Sequence, residues 1–148
     1  MSIYIHKSHN VSVILYHLVC AAKGRDPKFT PEVSQKLKEI CLEIEKRYEI
    51  HFLEIGTDGD HVHFLIQSVP TYSPTKISRT VKSITAREIL QQLPQVKKNL
   101  WGGEFWSNGY FINTVGRSGN ETNITNYVRN QGKNKNYTVV HKDQLTLL

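Results

Sequence analysis

The sequence is poor in cysteine, and it contains no long hydrophobic run. Its two cysteines, Cys20 and Cys41, lie in apolar surroundings and form no Cys-x-x-Cys pattern. A zinc site built from cysteines is therefore excluded in practice, and buried, reduced thiols in a cytosolic protein are the favoured interpretation. No apolar stretch approaches the roughly 20 residues that span a bilayer, and residues 1–10 contain no signal-peptide core. The composition therefore predicts a soluble, cytoplasmic protein without a membrane partner.

Acidic residues are scarce relative to basic ones. The chain has 19 Lys and Arg against 13 Asp and Glu, which gives a net charge of +6. Such a surplus favours a polyanionic partner such as nucleic acid, although it carries no information about the fold. The length of 148 residues and the hydrophobic content of 39% suit one domain with a real core. We therefore assign residues 1–148 to a single domain.

The alternation of apolar residues and turn residues predicts an α+β fold. Strands are predicted over four β-branched or aromatic runs, residues 11–22, 50–55, 61–69 and 109–114. Thr30-Pro31 and Ser73-Pro74 each place an N-cap before a proline, which predicts two helices that end near Glu49 and Leu93. This order is that of a ferredoxin-like (split βαβ, RRM-like) domain, a four-stranded antiparallel sheet with helices on one face.

One more helix is predicted after the fourth strand, over residues 121–131, and Gly132 ends it. Gly116 and Gly119 precede the helix, so it has glycine joints on both sides. We therefore expect residues 120–131 to form a mobile arm. The basic tail, residues 132–148, receives no predicted conformation.

His61 and His63 lie two residues apart on the third predicted strand. Because side chains on a strand alternate between faces, both imidazoles point the same way, with Cα atoms roughly 6.6 Å apart. This arrangement suits one divalent metal ion, and Asp58 and Asp60 provide acidic groups close by. Two histidines on one sheet face also arise by chance, so the pair alone leaves both interpretations open.

Tyr127 and Gln131 lie four residues apart on the last predicted helix and share a face. An amide oxygen is a weak metal ligand that is acceptable to Mg²⁺ or Mn²⁺. A tyrosine beside a metal ion is the chemistry of a covalent phosphotyrosyl intermediate. The alternative is a core tyrosine and a solvated glutamine, because Ile124, Tyr127, Val128 and Gln131 have the spacing of an apolar stripe.

Three segments together resemble the single-tyrosine HUH transposases of minimal insertion sequences, the IS200-like transposases. HUH denotes histidine, bulky hydrophobe, histidine, which His61-Val-His63 matches. The segments are Glu54-Ile-Gly-Thr-Asp-Gly-Asp-His-Val-His-Phe-Leu, Trp106-Ser-Asn-Gly-Tyr-Phe-Ile-Asn-Thr-Val-Gly and Tyr127-Val-Arg-Asn-Gln. They occur in the right order and at about the right spacing, and the resemblance covers about Tyr16 to Gln131.

The resemblance implies a DNA transposase that cuts and rejoins single-stranded DNA at insertion-sequence ends, next to hairpins, through a 5′-phosphotyrosine. By this analogy Tyr127 is the nucleophile, while His61, His63 and Gln131 bind Mg²⁺ or Mn²⁺. The resemblance also implies a homodimer in which the tyrosine helix of one subunit completes the histidine site of the other.

Basic side chains are expected to contact the DNA backbone, although solubility alone explains any single one of them. The candidates are Lys23, Arg25, Lys28, Arg79, Lys82, Arg87 and Arg117. Trp101 and Trp106 are expected either to stack on extruded bases or to pack under the long loop that holds them.

Two other functions stay open at this point. A noncatalytic, basic nucleic-acid-binding module would have the same fold and charge, but it leaves the histidine pair unexplained. A domesticated, repeat-associated tyrosine nuclease would share the motifs of an active transposase.

Overall fold

The structure, a computed structural model, describes residues 5–6, 10–23, 29–100, 102–116 and 137–143. The elements in chain order are β1 (Ile5–His6), β2 (Val11–Ser12), β3 (Ile14–Ala21), α1 (Pro31–Arg47), β4 (Ile50–Asp58), β5 (His61–Ser68), α2 (Pro74–Gln92), α3 (Pro94–Lys97), β6 (Phe111–Val115) and β7 (Tyr137–Lys142).

The main sheet has five strands in the order β6-β3-β5-β4-β7, and all neighbouring pairs are antiparallel. The four strands predicted from the sequence correspond to β3, β4, β5 and β6, and the first and third of them lie side by side as a split βαβ domain requires. The predicted α+β class and antiparallel sheet are confirmed. β7, from the tail to which no conformation was assigned, widens the sheet to five strands by pairing with β4.

Both long helices begin at the predicted caps. The Thr30 hydroxyl accepts a hydrogen bond from the backbone N–H of Val33 at 3.2 Å, and the Ser73 hydroxyl accepts one from Lys76 at 3.0 Å. In each case the following proline occupies the first turn, where its missing N–H has no partner to lose. The position of each helix is therefore set locally, by the cap and the proline.

The core lies between the two long helices and one face of the sheet. Alternate residues of the strands point into it, and buried side chains of the helices meet them; examples are Leu18, Phe52, Phe64, Leu37, Ile44, Ile77 and Val81. Burying each such side chain contributes about 1.5–3 kcal/mol. The intervening residues of the strands must then point to the opposite face.

That opposite face carries polar side chains near the β4–β5 turn. Strand register places Asp58 opposite both His61 and Tyr137, and it places His63 opposite Val19 on β3. His17, two residues before Val19, is thus a diagonal neighbour of His63. We call the group His17, Asp58, His61, His63 and Tyr137 the polar face.

Candidate active site

The two histidines of the motif lie at the start of β5, on the same face, as predicted. A two-residue turn, Gly59-Asp60, joins β4 to β5, and Gly59 has a positive φ of 63°, which glycine adopts without strain. The tight turn sets Asp58 directly opposite His61. The His61 side chain is 50% exposed, whereas His63 is only 4% exposed. The site therefore has one open and one enclosed imidazole.

The exposed histidine, His61, is oriented by its neighbour in the turn. Its Nδ1 lies 2.7 Å from the Asp60 carboxylate. Because a carboxylate at neutral pH only accepts hydrogen bonds, Nδ1 carries the proton, and in the neutral ring the lone pair is on Nε2. An imidazole held in this way by a carboxylate is the usual arrangement of a metal ligand.

The enclosed histidine, His63, contacts a different partner at each ring nitrogen. Its Nδ1 lies 2.9 Å from Nε2 of His17, and its Nε2 lies 4.0 Å from the Asp58 carboxylate. The centroids of the His17 and His63 rings are 5.2 Å apart, and the ring planes differ by only 15°. The ring of Tyr137 packs edge-on against His63 at 5.8 Å. These contacts hold the His63 ring in a fixed orientation.

The imidazoles of His17 and His63, both buried, are neutral at physiological pH. Burial, together with the adjacent His63, lowers the pKa of His17 to about 4. Burial also lowers the pKa of His63, outweighing the opposite effect of Asp58, while His61 adds to the decrease. A neutral imidazole has the lone pair that a metal ion needs.

The donors near the turn fit a divalent cation. Two imidazole nitrogens beside the Asp58 carboxylate suit Mn²⁺, and they suit Mg²⁺ when phosphate and water oxygens complete the coordination. Within the described ranges, no three His, Cys, Asp or Glu side chains form a ready-made metal cluster. A metal ion bound by His61 and His63 therefore needs further ligands from other residue types, from the substrate or from water.

A second tyrosine, Tyr137, was missed by sequence reasoning. Its hydroxyl donates a hydrogen bond of 2.7 Å to Glu54, a carboxylate that is only 1% exposed. Its ring lies over Gly56, where a Cβ atom would come within 2.1 Å of Tyr137 Cζ. The available signal was the β-branched run Thr138-Val-Val after Tyr137, but nothing in the sequence indicated its pairing with β4.

Several predicted residues lie outside the part of the chain that the structure describes. They are Tyr127, Gln131, Arg25, Lys28, Arg117 and Trp101. Their predicted roles therefore stay predictions.

The described basic candidates fall into two places. Lys23 forms a surface ion pair with Glu104 at 3.1 Å. Arg79, Lys82 and Arg87 line a groove of about 530 Å³ between α2 and the segment 103–110; we call it the α2 groove. Arg79 and Arg87 are exposed; Arg87 forms an ion pair with Glu88 at 3.4 Å, and the exposed position of each guanidinium suits contact with phosphates.

Lys82 and Trp106 have structural roles in the α2 groove. The ammonium of Lys82 donates to the carbonyls of Ser107 and Gly109 at 3.0 and 2.7 Å. Trp106 is only 5% exposed, and its indole N–H donates to Thr85 at 2.9 Å. Of the two expectations for Trp106, base stacking is wrong and packing under the loop is confirmed.

Backbone hydrogen bonds connect the α2 groove to the histidine turn. The N–H of Ser107 donates to the carbonyl of Ala21, and the N–H of Ala22 donates to the carbonyl of Asp60, both at 2.8 Å. Both the groove and the turn are therefore anchored at the C-terminal end of β3.

Sequence comparison finds a family match over most of the chain. Residues 10–131 match the family described as IS200-like transposases. The chain is 30% identical over 116 residues to the ISDra2 transposase TnpA of Deinococcus radiodurans, covering 78% of this chain and 82% of that protein. It is 28% identical over 116 residues to the transposase for insertion sequence element IS200 of Salmonella typhimurium, covering 78% and 75%.

Structure comparison agrees. A Deinococcus radiodurans R1 protein described as a transposase superimposes with a TM-score of 0.67 and 26% identity, over 86% of this chain and 98% of that one. A REP-associated tyrosine transposase bound to a REP hairpin shares the fold, with a TM-score of 0.56 and 11% identity, over 88% and 74%. Among the helices that the structure describes, none is long and apolar enough to cross a membrane.

Proposed function

Since this chain belongs to the IS200-like transposase family and is a transposase that cleaves DNA, we propose that it cuts and rejoins single-stranded DNA through a metal-assisted 5′-phosphotyrosine. The observation that carries the metal-assisted part is the histidine pair. His61 and His63 share a face at the start of β5, and each has a fixed partner at Nδ1. Both rings can then offer Nε2 to the same cation.

The proposed ligands are His61, His63 and Gln131, with Mg²⁺ or Mn²⁺ as the metal. A bound cation would supply positive charge beside the scissile phosphate and so stabilise the charge that develops on its oxygens. Gln131 is proposed from the motif, because it lies four residues after Tyr127 and an amide oxygen suits these metals. His61, which is half-exposed, faces the side from which a substrate approaches.

Tyr127 is the proposed nucleophile. Its phenol oxygen attacks the phosphorus, the bond from phosphorus to the 3′-oxygen breaks, and the 3′-oxygen leaves as a hydroxyl after taking up a proton. The product is a 5′-phosphotyrosine that retains the energy of the phosphodiester. Attack by a 3′-hydroxyl of another strand reverses the step and releases Tyr127, so strands are joined without ATP.

The proposed substrate is single-stranded DNA next to a hairpin at the end of an insertion sequence. The α2 groove supports this part of the proposal, because exposed Arg79 and Arg87 can contact phosphates while Lys82 shapes the wall. Family membership supports a homodimer in which the tyrosine helix of one subunit reaches the histidine pair of the other.

A denaturing gel tests the proposal. Wild type, Tyr127→Phe and His61→Ala are incubated with labelled single-stranded oligonucleotides that carry a hairpin, in Mg²⁺ or in EDTA. We expect a slow, protease-sensitive protein–DNA band with wild type in Mg²⁺ alone. An unchanged band from Tyr127→Phe would show that the nucleophile is assigned wrongly. An unchanged band in EDTA would show that cleavage does not require a metal ion.

The choice of oligonucleotide separates an active transposase from a domesticated relative. Ends of an insertion sequence and hairpins of a chromosomal repeat are compared at equal concentration. Cleavage of the element end supports transposition, whereas cleavage of the repeat alone identifies a repeat-associated nuclease. Tight binding of both without an adduct would leave a noncatalytic module.

A further inference from the structure

His17 lies outside the HUH motif, yet it makes the closest contact of the enclosed histidine. It is fully buried on β3, 46 residues from His63 in sequence, and the two rings are nearly coplanar with their nitrogens 2.9 Å apart. Burial of an imidazole at a sheet interior is costly unless its polar atoms are used. The question is therefore which of the two nitrogens, Nε2 of His17 or Nδ1 of His63, carries the proton of this contact.

Two neutral imidazoles at this distance share one proton, and two arrangements are possible. In the first, His63 holds the proton on Nδ1 and donates it to Nε2 of His17, so that Nε2 of His63 keeps a lone pair. In the second, His17 donates to Nδ1 of His63, and the proton of His63 is on Nε2, toward Asp58 at 4.0 Å. Only the first arrangement leaves His63 able to bind a metal on the side of His61 and Asp58.

We propose that His17 is a positioning residue that accepts the Nδ1 proton of His63 and thereby directs the Nε2 lone pair of His63 toward the metal. This inference rests on the proposed function, since it assumes that His63 is a ligand. It gives the two ligands matching supports: Asp60 fixes Nδ1 of His61, and His17 fixes Nδ1 of His63. Fixing ligand orientation through the second ring nitrogen is how proteins commonly tune imidazole ligands.

The packing around His63 strengthens the proposal. The His17 ring lies nearly coplanar with the His63 ring, with 15° between the planes, and the Tyr137 ring meets His63 edge-on at 5.8 Å. A 180° flip of the His63 ring would put the carbon Cδ2 in the place of Nδ1 and so lose the 2.9 Å contact with His17. His17 therefore faces Nδ1 of His63 rather than Nε2.

Heteronuclear NMR of the histidine ring nitrogens, recorded without metal or DNA, tests the proton position directly. Signals are assigned with His63→Asn and His17→Leu. In wild type we expect His63 protonated at Nδ1. In His17→Leu, which has similar bulk but no acceptor, we expect a shift toward protonation at Nε2. In His17→Gln, whose amide oxygen can accept at the same place, Nδ1 protonation should return.

Leu15→Ala is the matched control. Leu15 is buried on β3, two residues before His17 and on the same face, so its truncation tests for a loss of packing alone. We expect it to lower stability and leave the His63 proton in place. Protonation of wild-type His63 at Nε2, or an unchanged proton position in His17→Leu, would overturn the proposal.

Titration of Mn²⁺ by calorimetry gives the second readout. His17→Leu should weaken Mn²⁺ binding about 10- to 100-fold, His17→Gln should weaken it less, and Leu15→Ala should match wild type. If wild type binds Mn²⁺ and forms the DNA adduct while His17→Leu binds Mn²⁺ equally well, the role of His17 is refuted and the proposed function stands. If wild type binds no Mn²⁺, the proposed metal site is refuted. The NMR result alone then shows whether His17 fixes the proton of His63.

Discussion

His61 and His63 belong to one motif, but their surroundings give them different tasks. His61 is half-exposed beside the β4–β5 turn and has a carboxylate partner, so we expect it to be the proposed ligand that lies nearer the substrate. His63 is enclosed between His17 and Tyr137, and its neutral state follows from burial. Loss of the His61 ring should therefore affect chemistry alone, whereas loss of the His63 ring should also affect packing.

Gly56 is required because the Tyr137 ring occupies the place of its side chain. Adding one methyl group would put Cβ within 2.1 Å of Tyr137 Cζ, and the strand, the ring or both must then move. We expect Gly56→Ala to lower the free energy of unfolding by about 1–3 kcal/mol, the usual cost of overpacking. Urea denaturation measures it.

The matched background for this substitution is Tyr137→Ala. In that background the methyl group meets no ring, so the penalty of Gly56→Ala should shrink to a few tenths of a kcal/mol. Equal penalties in both backgrounds would mean that Tyr137 does not pack on Gly56.

β7 is held to its neighbours by polar contacts at its C-terminal end as well as by the strand ladder. His51 on β4 lies 3.0 Å from Glu45 of α1 and 2.8 Å from Asp143, which follows β7. Glu45 also accepts from the N–H of Phe52, and Asp143 donates its own N–H to Leu53. Through His51, helix α1 and strand β7 are joined to the same point of β4.

The protonation of His51 should make this junction sensitive to pH. The hydrogen bond to Glu45 raises the pKa of His51 above 6.5, burial opposes this, and Asp143 adds to the increase. A raised pKa in the folded state gives stability that is fully present below pH 6.5 and is lost as pH rises through the folded value. The excess stability of wild type over His51→Gln should therefore shrink as the pH rises above 6.5 through the folded pKa of His51.

Two other histidines respond to pH differently from His51. Burial, with Lys38 nearby, lowers the pKa of His141, so His141 loses its proton at a lower pH than His51. His17, with a pKa of about 4, stabilises in the opposite sense, since its contribution is lost as pH falls below 6.5 toward that value. A constant difference between wild type and His51→Gln as the pH rises above 6.5 would contradict the assignment to His51.

Helix α2 combines residues that build the α2 groove with residues that are available to DNA. We expect Arg87→Ala to change the free energy of unfolding by less than about 0.5 kcal/mol. It should weaken single-stranded DNA binding and lower the salt dependence by about 0.7 for each phosphate that the protein no longer neutralises. Binding is measured by fluorescence anisotropy over a range of salt concentrations.

Lys82→Met is the contrasting variant. It keeps the aliphatic stem but leaves the carbonyls of Ser107 and Gly109 without the ammonium donor, so it should lower the free energy of unfolding by about 1–3 kcal/mol. If Arg87→Ala left both affinity and salt dependence unchanged, the α2 groove would not be the DNA-binding surface.

Local signals in the sequence predicted the two long helices and four strands of the described structure, whereas β7 and the contact of His17 depend on long-range pairing. Thr30 and Ser73 cap their helices with atoms three residues away, so the starts of α1 and α2 were readable. β7 depends on β4, which lies some 80 residues earlier in the chain, and no local pattern encodes that pairing. His17 resembled one more residue of an apolar strand, because its partner His63 is 46 residues away.

The chain as a whole divides its sheet between two tasks. One face packs on α1 and α2 and supplies the core, while the polar face carries the histidine pair and its supports. The α2 groove and the histidine turn are both joined by backbone hydrogen bonds to the end of β3. The proposed DNA-binding groove and the proposed metal ligands are thus connected to the same strand.

The proposed shared active site predicts complementation between two inactive variants. In a mixture of His63→Ala and Tyr127→Phe subunits, a heterodimer has one site with intact histidines from one subunit and Tyr127 from the other. Cleavage should reappear to about a quarter of the wild-type rate for random mixing and equal amounts. Catalysis within one subunit would leave the mixture inactive, because each subunit then carries a defect in its own site.

The identity of the nucleophile is the most direct test, because the structure brings a second tyrosine, Tyr137, next to His63. Trypsin separates the two candidates, since Tyr127 lies in the peptide 118–129 and Tyr137 in the peptide 136–142. The covalent complex with single-stranded DNA is digested with nuclease and trypsin, and mass spectrometry locates the nucleotide remnant. We expect the remnant on the Tyr127 peptide, since the Tyr137 hydroxyl is committed to the buried Glu54 carboxylate. A remnant on the Tyr137 peptide would contradict the proposed mechanism.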